Sequence, residues 1–159
     1  MRGWLAAACA CLLLLPGTPG GGRSEEPRLT LEEARACMLQ LINEDRAAKG
    51  LSPVAMDPVA TRAGQRHAEE MAVHRYMSHW DRAGRLPDQR YTEAGGRDAV
   101  LENVYLRLWQ LNAAPEGQLD LEPRPTFTRR EIEDIQAAYF NELPPDDGHR
   151  RNILDPHHT

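Results

Sequence analysis

Three segments of the chain carry the sequence signals of a helix N-terminus, and they constrain the fold more than any other feature. Thr30 and Thr128 are each followed three residues later by a glutamate, which is the pattern of a capping box. Asp57-Pro58 supplies an N-cap residue and a proline at the first helical position. The sequence therefore predicts a mostly helical fold with at least three helices.

The apolar residues behind these starts predict how far each helix runs. Behind Thr30 they repeat at steps of three and four as far as Lys49-Gly50, which is typical of a helix C-terminus. The second helix is predicted to run from Pro58 towards His74. His67 and His74 are seven residues apart on it, whereas a helical metal pair prefers three or four. We therefore expect these two histidines to be packing or surface residues.

A glutamate continues the apolar stripe of the third helix. Glu142 follows Ile132, Ile135 and Tyr139 at steps of three, four and three, so the periodicity places it on the buried face. Burying an unpaired carboxylate costs several kcal/mol, on the order of a large core mutation. Glu142 therefore either reaches water at the helix end or has a buried partner.

The remaining segments lack a clear period. Residues 81–97 are rich in Gly, Pro and Arg and are predicted to form a loop. A short strand is predicted around Asn103–Tyr105, although residues 106–109 would suit a helix equally well. Residues 112–127 contain three prolines and are predicted to be a long loop insertion.

The N-terminus has the organisation of an export signal. A short basic start precedes an unbroken apolar run over residues 4–15, which is too short to span a bilayer. We predict a signal peptide over residues 1–22 and a linker over 23–29, with one folded domain over 30–159. A lipid anchor at Cys9 or Cys11 is disfavoured, since neither follows a clear lipobox. The mature chain is expected to be secreted or periplasmic, without a membrane span.

Charge and cysteine content restrict the partners and the chemistry. The formal net charge of −5 argues against nucleic acid as a partner. Without the leader, Cys37 is the only cysteine left, so an internal disulfide is excluded for the mature chain. Cys37 lies on the apolar face of the first helix and is predicted to be a packing residue rather than a nucleophile.

Four side chains form a candidate site. His79 and His149 lie beside predicted element boundaries, with Glu102 and Glu142 between them in the sequence. Neutral imidazole is a good metal ligand, and a carboxylate can fix its tautomer. The residue types therefore suit either a metal site or general acid/base chemistry, and their spacing alone does not show that they converge.

The order of the motifs resembles the bacterial branch of the CAP superfamily, the SCP-domain group of cysteine-rich secretory proteins, antigen 5 and plant pathogenesis-related proteins. The last motif is the most specific part of the resemblance. The matching segments are Leu41-Ile42-Asn43-Glu44-Asp45-Arg46, His67-Ala68-Glu69-Glu70-Met71, Ser78-His79, Glu102-Asn103-Val104 and Gly148-His149-Arg150-Arg151-Asn152-Ile153-Leu154.

This resemblance implies an α+β fold, the α-β-α sandwich of that family. Its central strands follow the last histidine motif, so we expect a C-terminally incomplete domain that is mostly helical, with His149 near a weakly supported end. The resemblance also implies a cleft that holds zinc or another divalent cation through His79, His149, Glu102 and Glu142. The chain departs from the family pattern at Leu101, usually Gly, and at Tyr139, usually Trp.

Three functions remain open at this point. The first is a secreted, monomeric CAP protein with a metal-binding cleft, whose extracellular ligand is a lipid or a peptide. The second is a metal-dependent hydrolase or protease using the same cleft, although the sequence has no His-Glu-x-x-His, Gly-x-Ser-x-Gly or activated cysteine motif. The third is a lipid-binding or interaction module with a vestigial cleft.

Overall fold

The computed structural model describes residues 4–6, 26–105 and 127–158. Five helices and two short strands lie in this part of the chain. In chain order they are β1 (Trp4–Ala6), α1 (Leu31–Ala48), α2 (Pro58–His74), α3 (Pro87–Glu93), β2 (Val100–Glu102), α4 (Arg129–Phe140) and α5 (Gly148–Ile153). This mostly helical arrangement is compatible with the predicted α+β class.

The three helix starts predicted from the sequence are confirmed. The Thr30 hydroxyl accepts a hydrogen bond from the backbone N–H of Glu33 at 3.2 Å, and the Glu33 carboxylate accepts one from the Thr30 N–H at 2.7 Å. Thr128 forms the same capping box with Glu131 at the start of α4. Asp57 caps α2. Each cap satisfies N–H groups that have no partner within the helix.

The main core lies between α1 and α4, and α5 closes one end of it. Its buried members are Ala34, Cys37, Met38, Ile42, Val54, Phe127, Ile132, Ile135, Tyr139 and Ile153. Cys37 is 5% exposed, and burial raises the pKa of its thiol. The prediction that Cys37 is a packing residue is therefore confirmed, since a buried protonated thiol is a poor nucleophile.

A second packed unit is formed by α2, α3 and β2, and it contains Glu102 of the candidate site. Here α2 contacts α3, and both lie near β2. The two strands pair in parallel, with Trp4 opposite Val100 and Ala6 opposite Glu102. The signal peptide over residues 1–22, of which the structure describes only β1, stays a prediction.

Two secondary-structure predictions are wrong. The predicted loop over 81–97 contains α3, which begins with a proline at its first position and with the Gln89 side chain accepting from the Leu86 N–H at 2.9 Å. A seven-residue helix is too short to show an apolar period. Residues 103–105, which were predicted to form a strand, are irregular. The strand β2 lies directly before them and ends at Glu102.

Other predictions fall partly outside the described residues. The helical alternative for 106–109 and the insertion at 112–127, except Phe127, lie there. Within the described ranges, none of the helices is both long and apolar enough to cross a membrane.

Candidate functional site

The first half of the site is a histidine–glutamate pair at the end of β2. Glu102 Oε1 accepts a hydrogen bond from Nδ1 of His79 at 3.0 Å. The Glu102 side chain is only 7% exposed, whereas that of His79 is 50% exposed. The carboxylate is therefore buried, and the imidazole that it binds is half exposed at the surface.

Arg90 holds this pair from α3. One of its terminal nitrogens donates to Glu102 Oε2 at 2.5 Å, and the other donates to the carbonyl oxygens of His79 at 2.8 Å and Arg85 at 2.9 Å. Arg90 is buried, so its charge compensates that of Glu102 inside the protein. It fixes both the carboxylate and the backbone that carries His79. Sequence reasoning missed Arg90 because it lies in the segment predicted to be a loop.

His67 supports the same backbone from the other side. Its Nε2 lies 2.8 Å from the carbonyl oxygen of Ser78, which can only accept, so this ring nitrogen carries the proton. His67 was predicted to be either a packing or a surface residue, and its burial makes it a packing residue. Together with Arg90 it also lines a cavity of about 250 Å³ between α2 and α3.

The second half is a local pair. His149, the second residue of α5, has its Nδ1 2.5 Å from Glu142 Oε1. The backbone N–H groups of His149 and Arg150 donate to Glu142 Oε2 at 2.9 and 3.3 Å. Burial acts to raise the pKa of Glu142, but the hydrogen bonds from His149 and Arg150 outweigh it, so the pKa is lower than usual. The prediction that Glu142 continues the apolar stripe of the third helix is wrong, because α4 ends at Phe140 and Glu142 follows it. Glu142 nevertheless has a partner, His149.

The aromatic side chain of Tyr139 orients His149 further. The two rings are stacked, with centroids 4.5 Å apart and planes 27° apart. Tyr105 meets Tyr139 edge-on at 6.2 Å. The imidazole of His149 is thereby fixed in rotation by a ring face as well as by the carboxylate, and its side chain is 32% exposed.

Two asparagines join the halves. Asn103 follows Glu102 directly and donates to the backbone carbonyl of His149 at 3.2 Å. Asn152, on α5, donates to the side-chain oxygen of Asn103 at 2.8 Å and to the carbonyl of Glu102 at 3.3 Å. Since Asn103 is buried, these contacts hold α5 against the end of β2. The four predicted residues are thus brought to one region as two linked pairs.

The hydrogen bonds decide which atoms remain available. A carboxylate accepts, so each imidazole donates from Nδ1, and the neutral form of such an imidazole has its lone pair on Nε2. Both oxygens of each glutamate are already engaged. In the ranges that the structure describes, no group of three or more His, Cys, Asp or Glu residues is arranged to hold one metal ion. Each glutamate thus orients a histidine through a hydrogen bond to Nδ1.

The fold and the site together define a small α+β protein with two histidines oriented by glutamates and joined through α5. The model of the CAP family, the cysteine-rich secretory protein family, matches residues 39–159. The chain therefore belongs to the cysteine-rich secretory protein family. No curated protein and no solved structure matches it.

Proposed function

We propose that this chain is an extracytoplasmic CAP-domain protein whose cleft binds a divalent cation through Nε2 of His79 and Nε2 of His149. The observation that carries the proposal is the shared orientation: both imidazoles give Nδ1 to a glutamate, and no residue in the described ranges makes a hydrogen bond to either Nε2. This carboxylate–histidine arrangement is the one that metal-binding histidines use to fix their tautomer.

The available donors favour a particular class of cation. Two neutral imidazole nitrogens suit zinc and its first-row neighbours, whereas calcium and magnesium prefer oxygen ligands. With two protein ligands, the other coordination positions would be filled by water or by a ligand oxygen. We therefore expect a weak, exchangeable zinc site, in which Glu102 and Glu142 position the histidines and do not bind the ion.

Zinc titration by calorimetry tests the proposal. Wild type should bind one zinc ion per chain, and His79→Ala, His149→Ala and the double variant should all lose this binding. His157→Ala is the matched control, because His157 is an exposed histidine outside both pairs. If both histidines bind the same ion, each single substitution should weaken zinc binding as much as the double substitution does.

Two results would contradict the proposal. Equal zinc binding by wild type and the double variant would place the ion elsewhere. If each single variant instead bound half as many zinc ions per chain as wild type, the two histidines would bind separate ions. Calcium titration of wild type should give no comparable heat.

A further inference from the structure

Arg46 is the most completely buried charged residue in the described ranges. It belongs to the last turn of α1 and has 0% exposure. Its guanidinium donates to four backbone carbonyls: Nε to Ser52 at 2.8 Å, and its terminal nitrogens to Ile153 at 2.8 Å, Asp155 at 2.9 Å and His158 at 2.6 Å. Three of these four acceptors follow or end α5.

A buried guanidinium is stabilising only when its donors are satisfied, because an unpaired buried charge is expensive. Here the acceptors are dipoles rather than one carboxylate, and burial lowers the pKa of Arg46 while the nearby Asp155 acts to raise it. An arginine side chain stays charged under these conditions. The carbonyls at the C-terminal end of α5, which lack partners within the helix, gain a charged donor.

These hydrogen bonds bear directly on the second histidine. His149 lies near the start of α5, and Arg46 binds the carbonyl of Ile153 at its end. At its start α5 is also held by Glu142, which accepts from two of its backbone N–H groups, and by Asn103 and Asn152, which tie it to the end of β2. The pair of His79 and Glu102 makes no hydrogen bond to Arg46 or to its acceptors in the part of the chain that the structure describes.

We propose that Arg46 is a positioning residue for the cleft: by holding the segment 153–158 against α1, it sets α5 and thereby the position of His149 relative to Glu142. Its value for cation binding rests on the function proposed above. Its effect on the imidazole of His149 does not depend on any cation. The proposal thus separates the two histidines, since α5 carries His149 itself, whereas His79 is held by Glu102 and Arg90, which lie outside α5.

The test compares Arg46→Lys with Arg35→Lys, a matched change on the same helix, where Arg35 binds Gln65 and not α5. Two-bond proton–nitrogen NMR spectra of ¹⁵N-histidine-labelled, metal-free protein report the tautomer of each ring. We expect Arg46→Lys to mix the tautomers of His149 and leave His79 unchanged, while Arg35→Lys changes neither. Zinc affinity of Arg46→Lys should fall about tenfold, as for other outer-shell changes.

The proposal is overturned if His149 keeps its tautomer in folded Arg46→Lys protein, or if His79 changes to the same extent. Hydrogen exchange on wild type covers the case in which the variant does not fold: amides of α5 should be protected about as strongly as the last turn of α1. Fast, independent exchange of α5 would also overturn it. Failure of wild type to bind zinc would contradict the proposed function and leave the NMR result for Arg46 standing.

Discussion

The two histidine–glutamate pairs have the same hydrogen-bond pattern but different supports. In the first pair, Glu102 at the end of β2 is buried, and its charge is compensated by Arg90 from α3. In the second, Glu142 is 21% exposed and accepts from backbone N–H groups seven and eight residues further along the chain. One carboxylate is thus held by a cation and the other by peptide groups.

This difference teaches which kind of change should damage each pair. A charge held by a single buried cation is vulnerable to one substitution, because removal of the partner leaves an uncompensated charge in the interior. A carboxylate held by local backbone groups keeps them as long as the backbone of α5 stays in place. We therefore expect the first pair to be fragile to charge deletion, and the second to depend on the placement of α5 rather than on the charge of one neighbouring side chain.

The largest effect should follow Arg90→Met, which retains much of the side-chain length and removes the charge. It leaves Glu102 buried without a cation, and we expect the free energy of unfolding to fall by about 3–5 kcal/mol. Urea denaturation measures this change. Arg129→Met is the control, because the Arg129–Glu133 pair is roughly half exposed and should contribute below about 1 kcal/mol. Similar losses in both variants would show that Glu102 does not depend on the charge of Arg90 more than an exposed carboxylate depends on its partner.

A smaller effect is expected from the asparagines that couple the pairs. Asn103→Ala removes the hydrogen bond from Asn103 to the backbone carbonyl of His149. Asn152→Ala removes the hydrogen bond from Asn152 to the backbone carbonyl of Glu102. Each should lower the free energy of unfolding by about 1–3 kcal/mol. In a double-mutant cycle the combined loss should fall short of the sum by at least about 0.5 kcal/mol, because the two side chains also bind each other. Strict additivity would show that the halves are held independently.

The sequence predicted the parts of the fold that depend on local signals. Thr30, Asp57 and Thr128 marked helix starts correctly, because a cap is decided by residues within one turn. The sequence also predicted a partner for Glu142, but from a helix periodicity that the structure does not continue to it, since α4 ends at Phe140. These inferences use separations of a few residues, which a single sequence displays directly.

The missed residues depend on distant contacts. Arg46 reads locally as an ordinary cation in the last turn of a helix, and its burial arises from carbonyls 107, 109 and 112 residues away. Arg90 lies in a helix too short for its apolar residues to form a period. The links through Asn103 and Asn152 also join residues 46 and 49 positions apart. No local pattern encodes such pairings.

Tyr139→Phe tests the aromatic support of the second pair, which the first pair lacks among the described residues. The hydroxyl of Tyr139 is buried without a hydrogen-bond partner among the described residues, while its ring stacks on His149. Removing the hydroxyl and keeping the ring should raise the free energy of unfolding by up to about 1 kcal/mol. Thermal unfolding measures it, with the less buried Tyr105→Phe as the control. A loss of stability would mean that the hydroxyl has a partner that supports the second pair.

The smallest effect is the acid response of the second pair, tested with Glu142→Gln. Because hydrogen bonds lower the pKa of Glu142 in the folded protein, its carboxylate stabilises the fold above the ordinary value of 4.5. That contribution is lost as the pH falls from 4.5 through the lowered folded-state pKa. Glu142→Gln should therefore be less stable than wild type at pH 6, and the difference in stability should narrow as the pH falls below 4. Urea denaturation across this range measures the difference, and the exposed Glu44→Gln serves as the control. A difference that stays constant with pH would show that the backbone amides of α5 do not favour the charged form of Glu142, and would remove the distinction between the two carboxylates.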